Sequence, residues 1–268
     1  MAIHPTAIVD RTGEIDPTAE VGAYAIVERD VRVGPRVRLY PHAYVGAGTT
    51  LGADCEVHPF AVVGHPPQDL KFKGEPTFTV VGAGTIIREH ATIHRGTTPG
   101  STTVVGARCF IMSTGHVGHN CTVGDDVVIA NGGLLAGHVS VGHRAFISGN
   151  AVVHQFSRLG ELVMVAGGTR LVQDVPPYML YGPRGVHAPN VVGLRRAGLG
   201  STERQELRQC HRLLYRSGLR LPDAIERIAQ LVRTEPGRKL LAFLREPSKR
   251  GLATLRRPQA VMAADDDE

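Results

Sequence analysis

The chain has 268 residues, of which 42% are apolar and 21% are charged, a balance that is typical of a globular protein. Its formal net charge of +5 is mild and by itself excludes no class of partner. We expect no nucleic-acid partner, and no apolar run approaches the length of a membrane-spanning helix. The first residues lack the basic segment and apolar run of a secretory signal, so we expect a cytoplasmic protein without stable membrane insertion.

A six-residue repeat runs through the first two thirds of the chain. Every sixth residue from Ile3 to Leu171 is Ile, Leu or Val at 26 of 29 positions, the next residue is often Gly, and the fifth is usually small. Such a hexapeptide repeat predicts a parallel β-helix in which three units close one coil and residues 18 apart stack on neighbouring coils. In this prediction the aliphatic residue points inward and glycine serves the corner.

Two polar stretches interrupt the repeat, at residues 64–80 and 97–104. The repeat resumes in the same phase after each of them, so both are predicted to leave the prism as loops and not to end it. Loops of this length on a regular scaffold are commonly functional or mobile.

The period of six is lost after residue 178. Residues 180–190 are rich in Pro and Gly and are predicted to form a linker. Ser201 and Thr202 are predicted caps, and Pro236 lies in a predicted first turn. The three predicted helices are 201–218, 221–232 and 235–246.

These patterns predict a mainly β protein with a small α-helical addition. The parallel β-helix is expected over residues 1–185. A C-terminal helical domain is expected over residues 186–268, and its acidic tail is predicted to be disordered.

The coil period brings several polar residues to one edge of the predicted prism. His119, Gly137 and Gln155 are spaced by 18 and therefore fall in one column. His138 and His154 flank that column. A lone histidine on such a wall is usually a surface residue, whereas a cluster on one edge indicates a functional site.

Three interpretations of this edge are open. A zinc site needs three convergent nitrogens and an open position, and His138 with His143 resembles only part of such a set. A scaffold or binding module without catalysis is the second interpretation. In the third, His119 is the general base of an acyl transfer, and the Gly137 N–H binds the developing oxyanion.

Several motifs resemble one known family. They are "QDLKFKGEPT" (68–77), "IHRGT" (93–97), "GHVGHNCTVG" (115–124), "LAGHVSVG" (135–142), "AVVHQF" (151–156), "QDVPPY" (173–178) and "NVVGLRRAG" (190–198). The family comprises the UDP-N-acetylglucosamine O-acyltransferases that open lipid A synthesis. The resemblance implies a left-handed parallel β-helix, a homotrimer, and a reaction without metal or cofactor.

The resemblance also implies the reaction and the roles of two residues. His119 would deprotonate the glucosamine 3-hydroxyl of UDP-N-acetylglucosamine, and Gly137 would stabilise the oxyanion. The hydroxyl would attack a 3-hydroxyacyl thioester carried by acyl carrier protein. Arginines of the predicted helices would then either contact that acidic carrier or form a solvated face.

The remaining site residues follow from the same resemblance. Asp69 and Lys71 would reach the sugar or the acyl chain across a subunit boundary. Gly167 would stand at the position that limits acyl-chain length, where glycine leaves room for a long chain. The nucleotide-sugar site would be lined by His116, His138, His154 and Gln155. The nucleotide phosphates or the acyl donor would be held by Asn190 and Arg196.

Three positions depart from the family pattern. Asn120 stands where the family often has Asp beside the base, and an amide cannot stabilise an imidazolium as a carboxylate does. Val192 and Ala197 replace a Glu and an Arg that some members carry near the substrate. These two changes leave open a related acyltransferase that acts on a UDP-diamino-sugar.

Overall fold

The computed structural model describes residues 2–255, in which short strands form three sheets of eleven, nine and eight strands. The first sheet contains, in order, Ala2–Ile3, Glu20–Val21, Arg38–Leu39, Glu56–Val57, Ile86–Ile87, Phe110–Ile111, Val128–Ile129, Phe146–Ile147, Met164–Val165, Met179–Gly182 and Gly185–Pro189. The second contains Ile8–Val9, Ile26–Val27, Tyr44–Val45, Val62–His65, Thr92–His94, His116–Val117, Leu134–Leu135, Val152–Val153 and Arg170–Leu171. The third contains Glu14–Ile15, Arg32–Val33, Thr49–Leu51, Phe78–Val81, Thr102–Val105, Thr122–Val123, Ser140–Val141 and Arg158–Leu159.

The chain visits the three sheets in turn, which builds the predicted parallel prism. Ile111 pairs with Ile129, and Ile129 with Ile147, so each residue pairs with its equivalent three repeat units later. All three side chains are fully buried and stack along the axis of the prism. Burial of each such side chain contributes about 1.5–3 kcal/mol to folding.

The corners of the prism are not made as predicted. The left-handed backbone conformation falls on the fourth residue of the unit, which is usually not glycine, as at Asn120 (φ 58°) and His138 (φ 60°). The glycine after the aliphatic residue serves close approach instead. A Cβ at Gly22 would lie 2.8–2.9 Å from backbone atoms of the next coil, so a larger residue would push the coils apart.

Both predicted excursions preserve the phase of the coil. Val57 pairs with Ile87, five repeat units later, and Ile87 pairs with Ile111, four repeat units later. Each offset exceeds the usual three units by a whole number of units, so every aliphatic residue still points inward. The residues outside the strands are 66–77, which we call the long loop, and 95–101, which we call the short loop.

The C-terminal part corrects two predictions. The predicted linker at 180–190 is largely an antiparallel hairpin of Met179–Gly182 and Gly185–Pro189. The cap of the second helix is Gly200, whose N–H donates to the Glu203 carboxylate, and not Ser201 or Thr202. The helices are α1 (Val191–Arg196), α2 (Ser201–Tyr215), α3 (Leu221–Leu231) and α4 (Glu235–Arg245). The six-residue α1 was not predicted.

The helical part is fastened to the last coils by charged and backbone hydrogen bonds. Arg158 binds the buried carboxylate of Asp174 at 2.8 Å and the Glu246 carboxylate of the segment after α4 at 2.8 Å. The following segment returns along the prism, where Asp174 N–H donates to Gly251 O (2.8 Å) and Arg250 Nε–H to Val172 O (2.9 Å). This path carries residues 247–255 back towards the β-helix.

The predicted acidic tail lies outside the described residues. Among residues 2–255, no helix is both long enough and apolar enough to cross a membrane.

Candidate active site

A cleft of about 700 Å³ opens at the edge between the second and third sheets. The long loop contributes Asp69 and Lys71 to its lining, and the short loop contributes Thr97. The edge itself contributes His119 and Gln155, which the coil period places in one column. The structure therefore joins both loops to the predicted edge in one concave site.

His119 lies directly against Gly137 of the next coil. A Cβ added to Gly137 would lie 2.4 Å from both Cε1 and Nε2 of His119, where ordinary contact begins at about 3.4 Å. The His138 N–H also donates to His119 O at 2.9 Å, which fixes the two turns against each other. The imidazole can occupy this position only because residue 137 has no side chain.

The Gly137 N–H is available to a ligand. No group in residues 2–255 accepts a hydrogen bond from it. The coil does not require this donor, because Pro35, Pro41 and Pro59 occupy the same position of other units and have no N–H. A free backbone donor beside an imidazole is suited to stabilising a developing negative charge on oxygen.

The imidazole of His119 is held from two sides. Its Nδ1 lies 3.0 Å from Asn120 Oδ1, and its Nε2 lies 4.0 Å from Asp69 Oδ2. The Lys71 N–H donates to the other Asp69 oxygen at 2.9 Å, which orients the carboxylate. The long loop folds over its own edge and brings Asp69 to His119 of the same chain. Its reach to the substrate across a subunit boundary, which the resemblance implied, stays a prediction.

Two further histidines form a wall beside His119. The His138 ring meets that of His119 edge-on at 5.2 Å and stacks on Phe156 at 4.7 Å. Burial, followed by the charges of His119 and Lys249, lowers the pKa of His138. Burial also lowers the pKa of His116, whose Nδ1 is 2.7 Å from Thr92 Oγ1. Both rings are therefore neutral near pH 7 and can donate or accept hydrogen bonds.

Comparison with known proteins identifies the family. The chain is 46% identical over 258 residues to the acyl-[acyl-carrier-protein]–UDP-N-acetylglucosamine O-acyltransferase of Paraburkholderia phymatum, covering 93% of this chain and 98% of that protein. It is 47% identical over 253 residues to the enzyme of the same name from Alkalilimnicola ehrlichii, with coverages of 93% and 98%. It belongs to this acyltransferase family.

The family assignment agrees with a domain match and with solved structures. Residues 174–253 match the family model described as UDP-N-acetylglucosamine O-acyltransferase, domain 2. The crystal structure of UDP-N-acetylglucosamine O-acyltransferase from Moraxella catarrhalis superposes with a TM-score of 0.90 at 38% identity, over 94% of this chain and 99% of that chain. The predicted fold class, a left-handed parallel β-helix with a small helical addition, is confirmed for this acyltransferase.

Not all of the predicted site residues meet in the cleft of one acyltransferase chain. Gly167 lies on the edge between the first and second sheets, away from His119. Asn190 is buried and caps α1, since its Oδ1 accepts from Gly193 N–H at 3.0 Å while its Nδ2 donates to Leu162 O at 3.0 Å. Arg196 is the last residue of α1, and His154 lies beside Gln155 with its Nδ1 3.1 Å from Gln155 O.

The two histidines of the zinc interpretation are separated. His138 lies between the second and third sheets, whereas His143 lies between the third and first sheets, where its Nδ1 accepts from Asp125 N–H at 2.9 Å. Within residues 2–255, no three His, Cys, Asp or Glu side chains are grouped closely enough to share a metal ion.

The structure adds four residues to the site that the sequence did not single out. Phe156 carries the His138 ring on one face, and Lys249 Nζ lies 4.7 Å from its ring centre. Thr97 donates to Asn120 Oδ1 from both its N–H (3.1 Å) and its hydroxyl (2.9 Å). The fourth, His94, lies 4.8 Å from the His116 ring. His94 and Thr97 both lie in the "IHRGT" motif, so this motif is the sequence feature that could have identified them as site residues.

Proposed function

We propose that this acyltransferase moves a 3-hydroxyacyl group from acyl carrier protein to the glucosamine 3-hydroxyl of UDP-N-acetylglucosamine, the opening step of lipid A synthesis. The observation that carries the proposal is the contact of His119 with Gly137 in a cleft covered by Asp69 and Lys71. The names of relatives with 46–47% identity supply the donor and the acceptor.

In the proposed mechanism, Nε2 of neutral His119 accepts the proton of the 3-hydroxyl as its oxygen attacks the thioester carbonyl. The Gly137 N–H donates to the carbonyl oxygen while the tetrahedral intermediate carries its negative charge. Asp69, 4.0 Å from Nε2, stabilises the imidazolium that forms. Collapse breaks the carbon–sulfur bond, and the proton passes from His119 to the thiolate, giving an ester and free carrier thiol.

The other cleft residues are assigned to substrate binding. Lys71, His138 and Gln155 line the same cleft as His119 and offer hydrogen bonds to sugar hydroxyls or phosphate oxygens. We assign His116, in the adjoining strand of the second sheet, and His154, beside Gln155, to the same substrate site. These roles extend the proposal from the base to the recognition of the acceptor.

A homotrimer in the cytoplasm is part of the proposal. Gly167, Asn190 and Arg196 lie outside the cleft of their own chain, so a second copy would have to bring them to the same substrate. In that arrangement Gly167, which lacks a side chain, leaves room for a long acyl chain. The exposed last turn of α1 would face the nucleotide or the carrier, with Arg195 and Arg196 as cations.

The test is an acyl-transfer assay with purified protein and a panel of acyl carrier protein thioesters. UDP-N-acetylglucosamine and its 3-amino analogue are compared as acceptors, and the products are identified by mass. We expect an O-acyl ester of UDP-N-acetylglucosamine. Preferential formation of an amide on the amino analogue would instead indicate the diamino-sugar reaction, and no product from either acceptor would refute the proposal.

The role of His119 is tested by replacing it with Ala. Loss of a general base lowers kcat by about 10²–10⁴-fold. His143→Ala is the matched control, because this exposed histidine lies on a different edge. Near-normal turnover by His119→Ala would refute the mechanism, whereas equal losses in both variants would show that the effect is not specific to the site.

A further inference from the structure

The side-chain oxygen of Asn120 accepts three hydrogen bonds at the back of the cleft. Two come from Thr97, through its N–H at 3.1 Å and its hydroxyl at 2.9 Å. The third comes from His119 Nδ1 at 3.0 Å. Thr97 itself is buried, so solvent does not compete for these hydrogen bonds.

These donors determine which end of the Asn120 amide faces the base. A backbone N–H can only donate, so the atom that faces Thr97 N must be the amide oxygen and not the NH₂ group. The same oxygen faces His119 Nδ1, which must therefore carry the hydrogen when the ring is neutral. The lone pair is then on Nε2, beside Gly137, where a hydroxyl proton has to be accepted.

The reversed amide would disable the base. An NH₂ group directed at Nδ1 would require a lone pair there and would place the hydrogen on Nε2. A ring in that tautomer cannot accept a proton at Nε2. An aspartate would not present this problem, because both of its oxygens are acceptors whichever way the carboxylate turns.

The Asn120 backbone is fixed as well, by a second threonine from the segment after the short loop. Thr103 Oγ1 accepts from Asn120 N–H at 2.8 Å, and the residue adopts a left-handed conformation (φ 58°). The short loop also turns tightly before Thr97, since a Cβ at Gly96 would lie 2.3 Å from Ser101 Oγ. Thr97 is therefore held at a defined distance from Asn120.

We propose that Thr97 and Asn120 are positioning residues that set the tautomer of His119, with Thr97 preventing the amide of Asn120 from turning over. The inference rests on the proposed role of His119 as the base. It assigns a function to the short loop.

The kinetic test combines Thr97→Val with Asn120→Asp in a double-mutant cycle. Thr97→Val alone is expected to lower kcat by about three- to tenfold, the effect of one neutral hydrogen bond, with little change in KM. Thr97→Ser keeps the hydroxyl and is expected to keep turnover. In the Asn120→Asp background, Thr97→Val is expected to cost less than about twofold, because a carboxylate has no wrong orientation.

The pH profile separates positioning from general damage to the fold. Asn120→Asp places a carboxylate beside the ring and should move the acidic limb of kcat/KM upward by about one pH unit or more. Thr97→Val should leave that limb in place. The titratable groups that face His119, namely Asp69 from the long loop, His138 from the next coil, and His116 and His94 from the second sheet, are unchanged throughout.

A direct readout of the tautomer does not depend on turnover. Histidine-selective ¹⁵N chemical shifts should place the hydrogen on Nδ1 of His119 in the unmodified chain. The share on Nε2 should grow slightly in Thr97→Val, which loses the hydroxyl and keeps the N–H, and should grow further in Thr97→Pro, which loses both donors. Thr122→Val, which removes an exposed hydroxyl two residues from Asn120, is the matched control and should change neither kcat nor the tautomer of His119.

Two results would overturn the inference. The first is an equal loss of kcat from Thr97→Val in both backgrounds, and the second is an unchanged tautomer in Thr97→Pro, which lacks both donors. If the unmodified chain acylates neither acceptor but the Thr97 variants still change the tautomer of His119, the proposed function fails while the positioning role stands. The two proposals therefore fail separately.

Discussion

Replacing Gly137 with Ala tests how closely the base is confined. The new Cβ would lie 2.4 Å from Cε1 and Nε2 of His119, about 1 Å closer than ordinary contact. The imidazole must therefore move by about 1 Å, and a misplacement of that size costs about 100-fold in rate, or about 2.7 kcal/mol. The backbone N–H of residue 137 is retained, so the loss measures the displacement of the ring and not the removal of an oxyanion donor.

The assay is steady-state acyl transfer, with a thermal melt to verify the fold. Gly149→Ala is the matched control, because Gly149 has the same position in its unit and its Cβ would meet only Asn131 O, at 3.3 Å. In a His119→Ala background the Gly137→Ala change should add little, since the group it displaces is already absent. Wild-type kcat for Gly137→Ala would refute the view that this glycine exists to make room for the base.

Two further predictions concern stability. Burial lowers the pKa of His94 and of His211 to about 4 from an unfolded value of about 6.5, so unfolding takes up protons as the pH falls. We expect full stability above pH 6.5 and a decline towards pH 4 in thermal melts. The decline should be smaller in the double variant His94→Gln, His211→Gln. An equal decline in that variant would show that these two histidines do not cause the loss of stability in acid. Arg158→Ala leaves the buried Asp174 carboxylate unpaired and removes the guanidinium that lies 4.5 Å from the Phe243 ring centre, so urea titration should show a loss of about 3 kcal/mol. A loss no larger than that of an ordinary surface substitution, about 0.5 kcal/mol, would contradict it.

The hexapeptide pattern was sufficient to predict the prism because its signal is local and repeated. A single inward aliphatic residue in each unit, such as Ile129, determines which side of every strand faces the core. The phase of the repeat after each interruption also predicted that both loops leave and rejoin the coil. The hairpin near Val186 and the short helix near Leu194 carry no such period, so composition alone suggested a linker.

The site was only partly predictable from the coil period. Counting by whole coils brings His119, Gly137 and Gln155 into one column, and the structure confirms that column. The six-residue period gives no information about the path of a loop that leaves the coil. It therefore could not show that Asp69 of the long loop approaches His119 of its own chain.

The sequence by itself determined the coil, the buried column of aliphatic residues and the edge that carries the histidines, because each depends on spacing along the chain. Only the tertiary structure decided how His119 is oriented. That orientation depends on Thr97 and Asn120, which are distant in the chain and are brought together by the short loop. The Thr97 N–H donates to the amide oxygen of Asn120, which also faces Nδ1 of His119. Contacts of this kind arise from where two loops meet in space, which no period in the sequence specifies.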